Sequence, residues 1–431
     1  MGLFSMNQIM NTKNIFSSSD RSKLQQAVFL SVIVAIAVYG INYHAAKTIL
    51  YLSALLGVIN VMGAIYKRDI SLLSIPPNIR IFLGLLIASV VIVAVYTSFS
   101  SGKGSDRFFR DFCYTATCVI FISVSLKLSE KDLSLIESAI LFSCITMGLT
   151  GIFDYFINNP GRTSGSLNNS IDYGTNLSIL ATLSVMIATK YIAAKRYKYV
   201  LFCVIAFLTG SIGVVLSASR GPLVAELVVV GVITLIFGIK CLGKRNALIS
   251  MSLFIVIIGY GISTLPVGQR FHDTFINISE NNEGSSIGRR IQQWQAGLRS
   301  ITDNPMAGIG VANHNDYFRK KLKEDPSFIH PSAMFYTHIH NDIINMVVWM
   351  GAVSGLVFFG YLIYSFIVFL VHAKVNYIAA LGLVTTSNYL LCGLTSVPSI
   401  RAVILTMFLL LIVIFHQMMF LPKYAGHKVS S

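Results

Sequence analysis

Apolar residues fall in long blocks along the chain, with short polar stretches between them. The blocks run to about 18–20 residues, the length that crosses a bilayer as a helix. Lipid offers no water to backbone groups, so such blocks are read as helices, whose hydrogen bonds are internal. Twelve spans follow, at approximately 26–43, 48–66, 81–99, 112–126, 133–156, 175–194, 199–217, 222–239, 247–264, 343–370, 377–395 and 402–421. The tenth is longer than a bilayer needs, which implies tilt or a helix that projects beyond the membrane. The fold class is therefore all-α: a polytopic integral membrane protein of about 12 transmembrane helices, with a large loop between helices 9 and 10.

Loop charges orient the spans. Lys13, Arg21 and Lys23, then Lys67, Arg68 and Arg80, then Lys127 and Lys131, mark alternate loops as cytoplasmic. Lys195, Arg196 and Lys198, then Lys240, Lys244 and Arg245, then Lys374, then Lys423 and Lys428 continue the series. The opposite loops hold fewer cations: Lys47; Lys103, Arg107 and Arg110; Arg162; Arg220; Arg401. Both termini are then cytoplasmic. Three parts result: residues 1–264 with helices 1–9, a helical external loop at 265–342, and residues 343–431 with helices 10–12. The polar start, Met1 to Gln25, leads into a full span and is read as having no removable signal peptide.

Composition agrees with the pattern. Apolar residues make up 54% and charged residues 12%, with a mean hydropathy of +0.70. A soluble domain carries roughly 25% charged residues. The net charge of +15 would suggest nucleic acid in a soluble protein. Here it is a topology signal, so no nucleic-acid partner is expected. The six cysteines show no CxxC spacing, which supports neither a disulfide framework nor a zinc site.

The external loop is too large to be a connector. Ile287, Ile291, Trp294, Leu298 and Ile301 mark one face of an amphipathic helix. Asp303-Asn304-Pro305 ends it, and Gly308 and Gly310 form a turn. A second short helix sets Tyr317, Phe318 and Leu322 against Arg319, Lys320, Lys321 and Lys323, and is placed at the membrane surface. Over residues 265–340, eight Lys/Arg and seven Asp/Glu make the loop nearly neutral. Phosphate binding there would rest on particular arginines.

Arg220 lies in Ser217-Ala218-Ser219-Arg220-Gly221-Pro222, between two spans. An arginine at membrane depth is costly and takes a partner. Either it grips a phosphate at headgroup level, or it snorkels or pairs with Glu226. Arg289 and Arg290 open the amphipathic helix, where anions are favoured; the alternative is a solvated pair. Arg290, next to Ile291, is nearer the buried edge. His338 and His340 flank Ile339, and a near-neutral histidine can take a proton from a hydroxyl. The alternatives are an interfacial histidine or a metal pair, the latter without a carboxylate cluster to complete it. Asn341 and Asp342 are candidate helix caps. The loop Gly161 to Ser170 is polar enough to touch sugar.

Three features together resemble the O-antigen ligase and polymerase superfamily of membrane glycosyltransferases. They are the arginine between central spans, a late loop with R-x3-W-x2-G-L (Arg290, Trp294, Gly297, Leu298) and N-P-x2-G-I-G (Asn304 to Gly310), and His340-Asn341 at its end. The resemblance covers mainly 200–370. The ligase pattern H-N-x9-G-x2-G reads His340-Asn341, then Gly351, with Ser354 at the second glycine position. The resemblance implies an O-antigen ligase in the bacterial inner membrane with its site facing the periplasm. Such an enzyme moves O-polysaccharide from undecaprenyl pyrophosphate to a sugar hydroxyl of lipid A–core, inverting and without a metal or other cofactor. It also implies His340 as general base, with Arg220 and Arg290 as catalytic arginines. Arg289, His338 and Asn341 stand beside them as substrate-binding candidates. An O-antigen polymerase and a transporter of lipid-linked glycans are the alternatives.

Overall fold

The computed structural model describes residues 21–67, 77–99, 103–158, 161–239, 243–264, 266–334 and 338–421. The loop cations Lys13, Arg68, Lys240, Lys423 and Lys428, and Cys241, lie outside these residues. The described chain is helical and contains no strand. Eight helices are long and apolar enough to cross a membrane, against the twelve spans read from hydropathy. They are Tyr43–Tyr66, Ile79–Ser98, Asp106–Ser125, Glu130–Ile157, Ser170–Ala193, Tyr197–Leu216, Arg220–Phe237 and Asp342–His372. Three apolar helices of 17 residues occupy the first, eleventh and twelfth predicted spans. The ninth falls in Lys244–Thr264.

In chain order the helices are α1 (Lys23–Tyr39), α2 (Tyr43–Tyr66), α3 (Pro77–Phe99), α4 (Lys103–Phe109), α5 (Thr115–Ser125), α6 (Leu133–Ile157), α7 (Ser170–Ala193), α8 (Tyr197–Leu216) and α9 (Arg220–Ile233). Then come α10 (Lys244–Thr264), α11 (Pro266–Ser279), α12 (Ser286–Asp303), α13 (His314–Glu324), α14 (Asp342–Phe358), α15 (Gly360–His372), α16 (Tyr377–Gly393) and α17 (Ala402–Met418). A wide π-turn, Arg110–Tyr114, joins α4 to α5.

The helices are patterned for lipid. On α2 the large residues Leu52, Leu55, Ile59, Met62 and Ile65 face outward, while Ala46, Ser53, Ala54, Gly57 and Asn60 face inward. Between membrane helices small residues permit close approach and polar ones supply hydrogen bonds. Helix α7 sits centrally against α6, α8, α9 and α16. Its Ser178 donates to the Pro222 carbonyl of α9 at 3.1 Å and pairs with Asn388 of α16 at 2.8 Å. These bonds hold the start of α9, and hence Arg220, against the bundle centre.

The long tenth span is broken rather than simply tilted. Gly351 sits inside α14 at φ 78°, ψ 168°, and α15 begins after Phe359. A break frees backbone groups that the membrane cannot satisfy. The Asn304–Gly310 turn satisfies them instead. Ile309 N–H donates to Val348 O at 2.8 Å, Gly310 N–H to Trp349 O at 2.9 Å, and Ala352 N–H to Pro305 O at 2.8 Å. The two glycine motifs are thus one interface. Ser354, at the second glycine position of the pattern, bonds Tyr96 of α3 through its hydroxyl at 3.1 Å.

The loop helices differ from expectation in which face is covered. On α12 the buried residues are Gln293, Ala296, Gly297 and Ser300, while Leu298 is 55% exposed. A Cβ at Gly297 would press on Ile339 and Ile344, so the absence of a side chain sets the approach of α12 to α14. On α13 Phe318 is buried against Phe328 and His314 rather than turned to a membrane surface. His314 in turn accepts from the Trp349 indole at 3.2 Å.

Candidate functional site

Arg220 is the first residue of α9. Its Nη1 donates to Arg270 O at 3.1 Å and to the Thr274 hydroxyl, and its Nη2 reaches Ser286 Oγ at 3.5 Å. It therefore gathers α11 and the N-terminus of α12. Glu226, the alternative partner, is fully buried and accepts from Ser211 instead. Arg270 returns a bond to Ala218 O at 3.2 Å, and Arg162 Nε donates to Ser217 O at 3.2 Å. These bonds all end on neutral oxygens and leave the cationic charge in place. Burial holds the Arg162 guanidinium below its ordinary pKa, and the charges of Arg270 and Arg220 add to this. Three guanidinium groups thus crowd the turn between α8 and α9.

Helix α12 carries the next pair. Ser285 caps it, accepting from Gly288 N–H at 3.0 Å. Arg289 and Arg290 follow, both half-buried. One turn beyond Arg290, the Trp294 indole N–H donates to the His340 carbonyl at 3.1 Å. That bond fastens the arginine helix to the histidine segment.

The His338-Ile339-His340-Asn341 segment is held at several points. Ile339 N–H donates to Asn345 Oδ1 at 2.8 Å. Asn341 caps α14, its Oδ1 accepting from Ile344 N–H at 3.1 Å, and its Nδ2 donates to Leu394 O at 3.2 Å. Asp342 is not a cap; its buried carboxylate accepts from Ser399 Oγ at 2.6 Å. The two imidazoles meet edge to face, 4.9 Å between centres. No group of three His, Cys, Asp or Glu side chains suited to a metal occurs among the described residues.

Electrostatics tie the segment to the arginines. Burial pushes the His340 pKa down to about 4, and the charges of Arg290 and Arg401 add to this. His338 lies well below the ordinary range, chiefly from burial, then from His340 and Arg401. Both rings are therefore neutral near pH 7, the form that accepts a proton. The Arg290 charge thus acts on His340, and the Trp294 bond holds the two segments together. Arg220 joins them through Ser286, one turn before Arg290. The segment after α16 closes the circle. Leu394 bonds Asn341, Thr395 packs against Gly221, and Arg401 pairs with Asp172 of α7 at 3.9 Å.

Sequence reasoning thus named Arg220, Arg289, Arg290, His338, His340 and Asn341 but passed over Arg270, Arg401 and Asn345. Arg401 shared the signal that singled out Arg220, a cation in a very short external loop. The Gly161 to Ser170 loop has a structural role. Thr163 Oγ1 and the N–H groups of Ser164 and Gly165 all donate to Asp154, at 2.6, 3.0 and 3.1 Å.

Residues 205–360, from the middle of α8 to the start of α15, match the family described as O-antigen ligase. The match contains Arg220, Arg290 and His340. An uncharacterized protein of Haemophilus influenzae is 23% identical over 249 residues, which cover 54% of this chain and 60% of that protein. The match therefore spans less than two thirds of that relative's length.

Proposed function

We propose that the chain is an O-antigen ligase of the bacterial inner membrane, on the premise that its residues 205–360 match the family described as O-antigen ligase. Its donor is O-polysaccharide on undecaprenyl pyrophosphate, and its acceptor is a sugar hydroxyl of lipid A–core at the periplasmic face. His340, neutral at pH 7, takes the hydroxyl proton as that oxygen attacks the anomeric carbon. The glycosyl–phosphate bond breaks on the opposite face, which inverts the centre. Its electron pair leaves on the lipid pyrophosphate, and the proton passes from His340 to water. Arg220 and Arg290 hold the pyrophosphate, with Arg289 beside them. Fixed cations stabilise charge that develops on a leaving group.

A histidine with a pKa of about 4 is a weak base. Burial is the larger cause of that low value, and a bound donor works against the rest, because its anionic charge offsets Arg290 and Arg401 and raises the imidazole pKa. The base is strengthened when the donor is in place. The observation that carries the reading is the Trp294 hydrogen bond to the His340 carbonyl, which fastens the arginine helix beside the histidine segment.

The test is in cells. Arg220→Ala, Arg290→Ala and His340→Ala should each leave long polymer on undecaprenyl pyrophosphate and uncapped lipid A–core on gels. Single repeat units attached to the core would identify a polymerase instead. Capped lipopolysaccharide from all three variants would remove the site assignment.

A further inference from the structure

An apolar groove of about 460 Å³ opens on the bundle surface away from the arginine cluster. Tyr51 of α2, Val90 and Ala94 of α3, and Cys113, Tyr114 and Thr117 line it. Its volume lies within the roughly 300–1,000 Å³ typical of ligand sites. The π-turn at Arg110–Tyr114 supplies part of its wall, and such turns recur at functional sites.

Depth places the groove in one leaflet. Tyr51 is eight residues below Tyr43, the start of α2 (51 minus 43), or about 12 Å along a helix. Half of a bilayer core is about 15 Å. The groove therefore occupies the leaflet on the His340 side. Phe108 of α4 packs on Trp349 of α14 with ring centres 5.4 Å apart, which ties this side of the bundle to the helix that follows His340.

The rim is cationic. Lys47 Nζ stands 5.5 Å from the Tyr51 ring centre and 6.0 Å from that of Tyr43. Arg107 and Arg110 flank Asp111 on the opposite wall, both with side chains 63% exposed. Lys47, Arg107 and Arg110 against Asp106 and Asp111 still leave a net positive mouth. Hydrocarbon alone needs no such charge, whereas a phosphorylated lipid does.

Arg162, Arg220 and Arg270 form a separate cationic cluster at the α8–α9 turn. A transfer between two lipid-linked substrates needs two such places, and the proposed donor pyrophosphate takes the one beside Arg290. Resting on that reading, we propose that the α2–α3–α5 groove seats a hydrocarbon chain of the phosphorylated acceptor lipid. Lys47 and Arg107 hold its phosphate, and its sugar passes His338 to reach His340.

The experiment uses purified full-length protein, with lipid A and enzymatically dephosphorylated lipid A as binding probes. Lys47→Glu combined with Ala94→Phe removes the rim charge and fills the groove. Lys47→Glu alone serves if the double variant misfolds, and Leu55→Phe on the outer face of α2 is the control. The variant should bind lipid A about tenfold more weakly, while dephosphorylated lipid A binds weakly to every form. With lipid A–core as acceptor, the acceptor KM should rise by a similar factor, with donor KM and kcat unchanged. Unchanged lipid A binding in a folded variant, or a rise in donor KM instead, overturns the proposal. Groove-dependent lipid A binding without any transfer by the wild type would defeat the functional reading and leave the lipid site standing.

Discussion

The Trp294 indole donates to the main-chain carbonyl of His340 at 3.1 Å, across 46 residues of chain. It converts the R-x3-W spacing into a distance. While that bond stands, the α12 backbone at Arg290, one turn before Trp294, keeps its place beside the His340 segment. Trp294→Phe keeps the ring packing and deletes the donor. One hydrogen bond is worth about 0.5–1.5 kcal/mol, so kcat should fall roughly 3- to 10-fold with the fold retained. An unchanged kcat in transfer assays would show that the tether is not needed.

Asn345 holds the same segment from the other side. It is fully buried and accepts from Ile339 N–H. Asn345→Ala leaves that buried N–H without its acceptor, a cost of about 1–3 kcal/mol. The thermal midpoint should drop and amide exchange at 338–341 should quicken, while the far ends of α16 and α17 keep their protection.

The glycine at the α14 break is predicted to be intolerant. At φ 78° an L side chain is strained, and a Cβ would overlap the Met306 carbonyl. Strain of this kind costs about 1–3 kcal/mol before the overlap is counted. Gly351→Ala should therefore undock the Asn304–Gly310 turn and abolish transfer. Gly84→Ala on α3 has open space around it and should be neutral or stabilising by up to about 1 kcal/mol. Thermal unfolding of the two variants side by side checks the contrast.

His314 and His340 both have folded pKa values near 4, below the roughly 6.5 of a free histidine. The unfolded chain therefore binds more protons between those values, and stability rises with pH across that window. The stabilisation is complete above about pH 6.5 and is lost as pH falls through about 4. Removing the Arg290 charge with Arg290→Gln should raise the His340 pKa and narrow its window from the acid side. Histidine NMR titration of wild type and variant measures this directly. A His340 pKa that stays put in the variant would disconnect the two groups.

The all-helical membrane class was legible because hydropathy over a bilayer length is a strong signal; the site candidates Arg220 and His340 stand out as polar residues at the edges of apolar blocks, and Arg290 by its place at the start of an amphipathic helix. The break at Gly351 was not legible. Excess length alone reads equally as tilt, and only the docking of Ile309 and Gly310 on Val348 and Trp349 reveals a positive φ. The covered face of α12 was misread because its contacts are made by Gln293, Ala296, Gly297 and Ser300, which carry no apolar periodicity. Arg270 was passed over because its partner, Ala218, lies 52 residues away (270 minus 218), whereas Arg401 offers the same short-loop signal as Arg220 and is read in the sequence for topology alone.

The central claim is that His340 and the arginines act on one lipid pyrophosphate donor. Transfer of labelled oligosaccharide from undecaprenyl pyrophosphate to lipid A–core by the purified protein in detergent tests it most directly. Wild-type protein should form product without gradient or nucleotide. His340→Ala should lose at least about a hundredfold in kcat, with donor binding retained. Arg220→Ala and Arg290→Ala should weaken donor binding as well as transfer. Full-rate transfer by His340→Ala, or none by folded wild type supplied with both substrates, would contradict it.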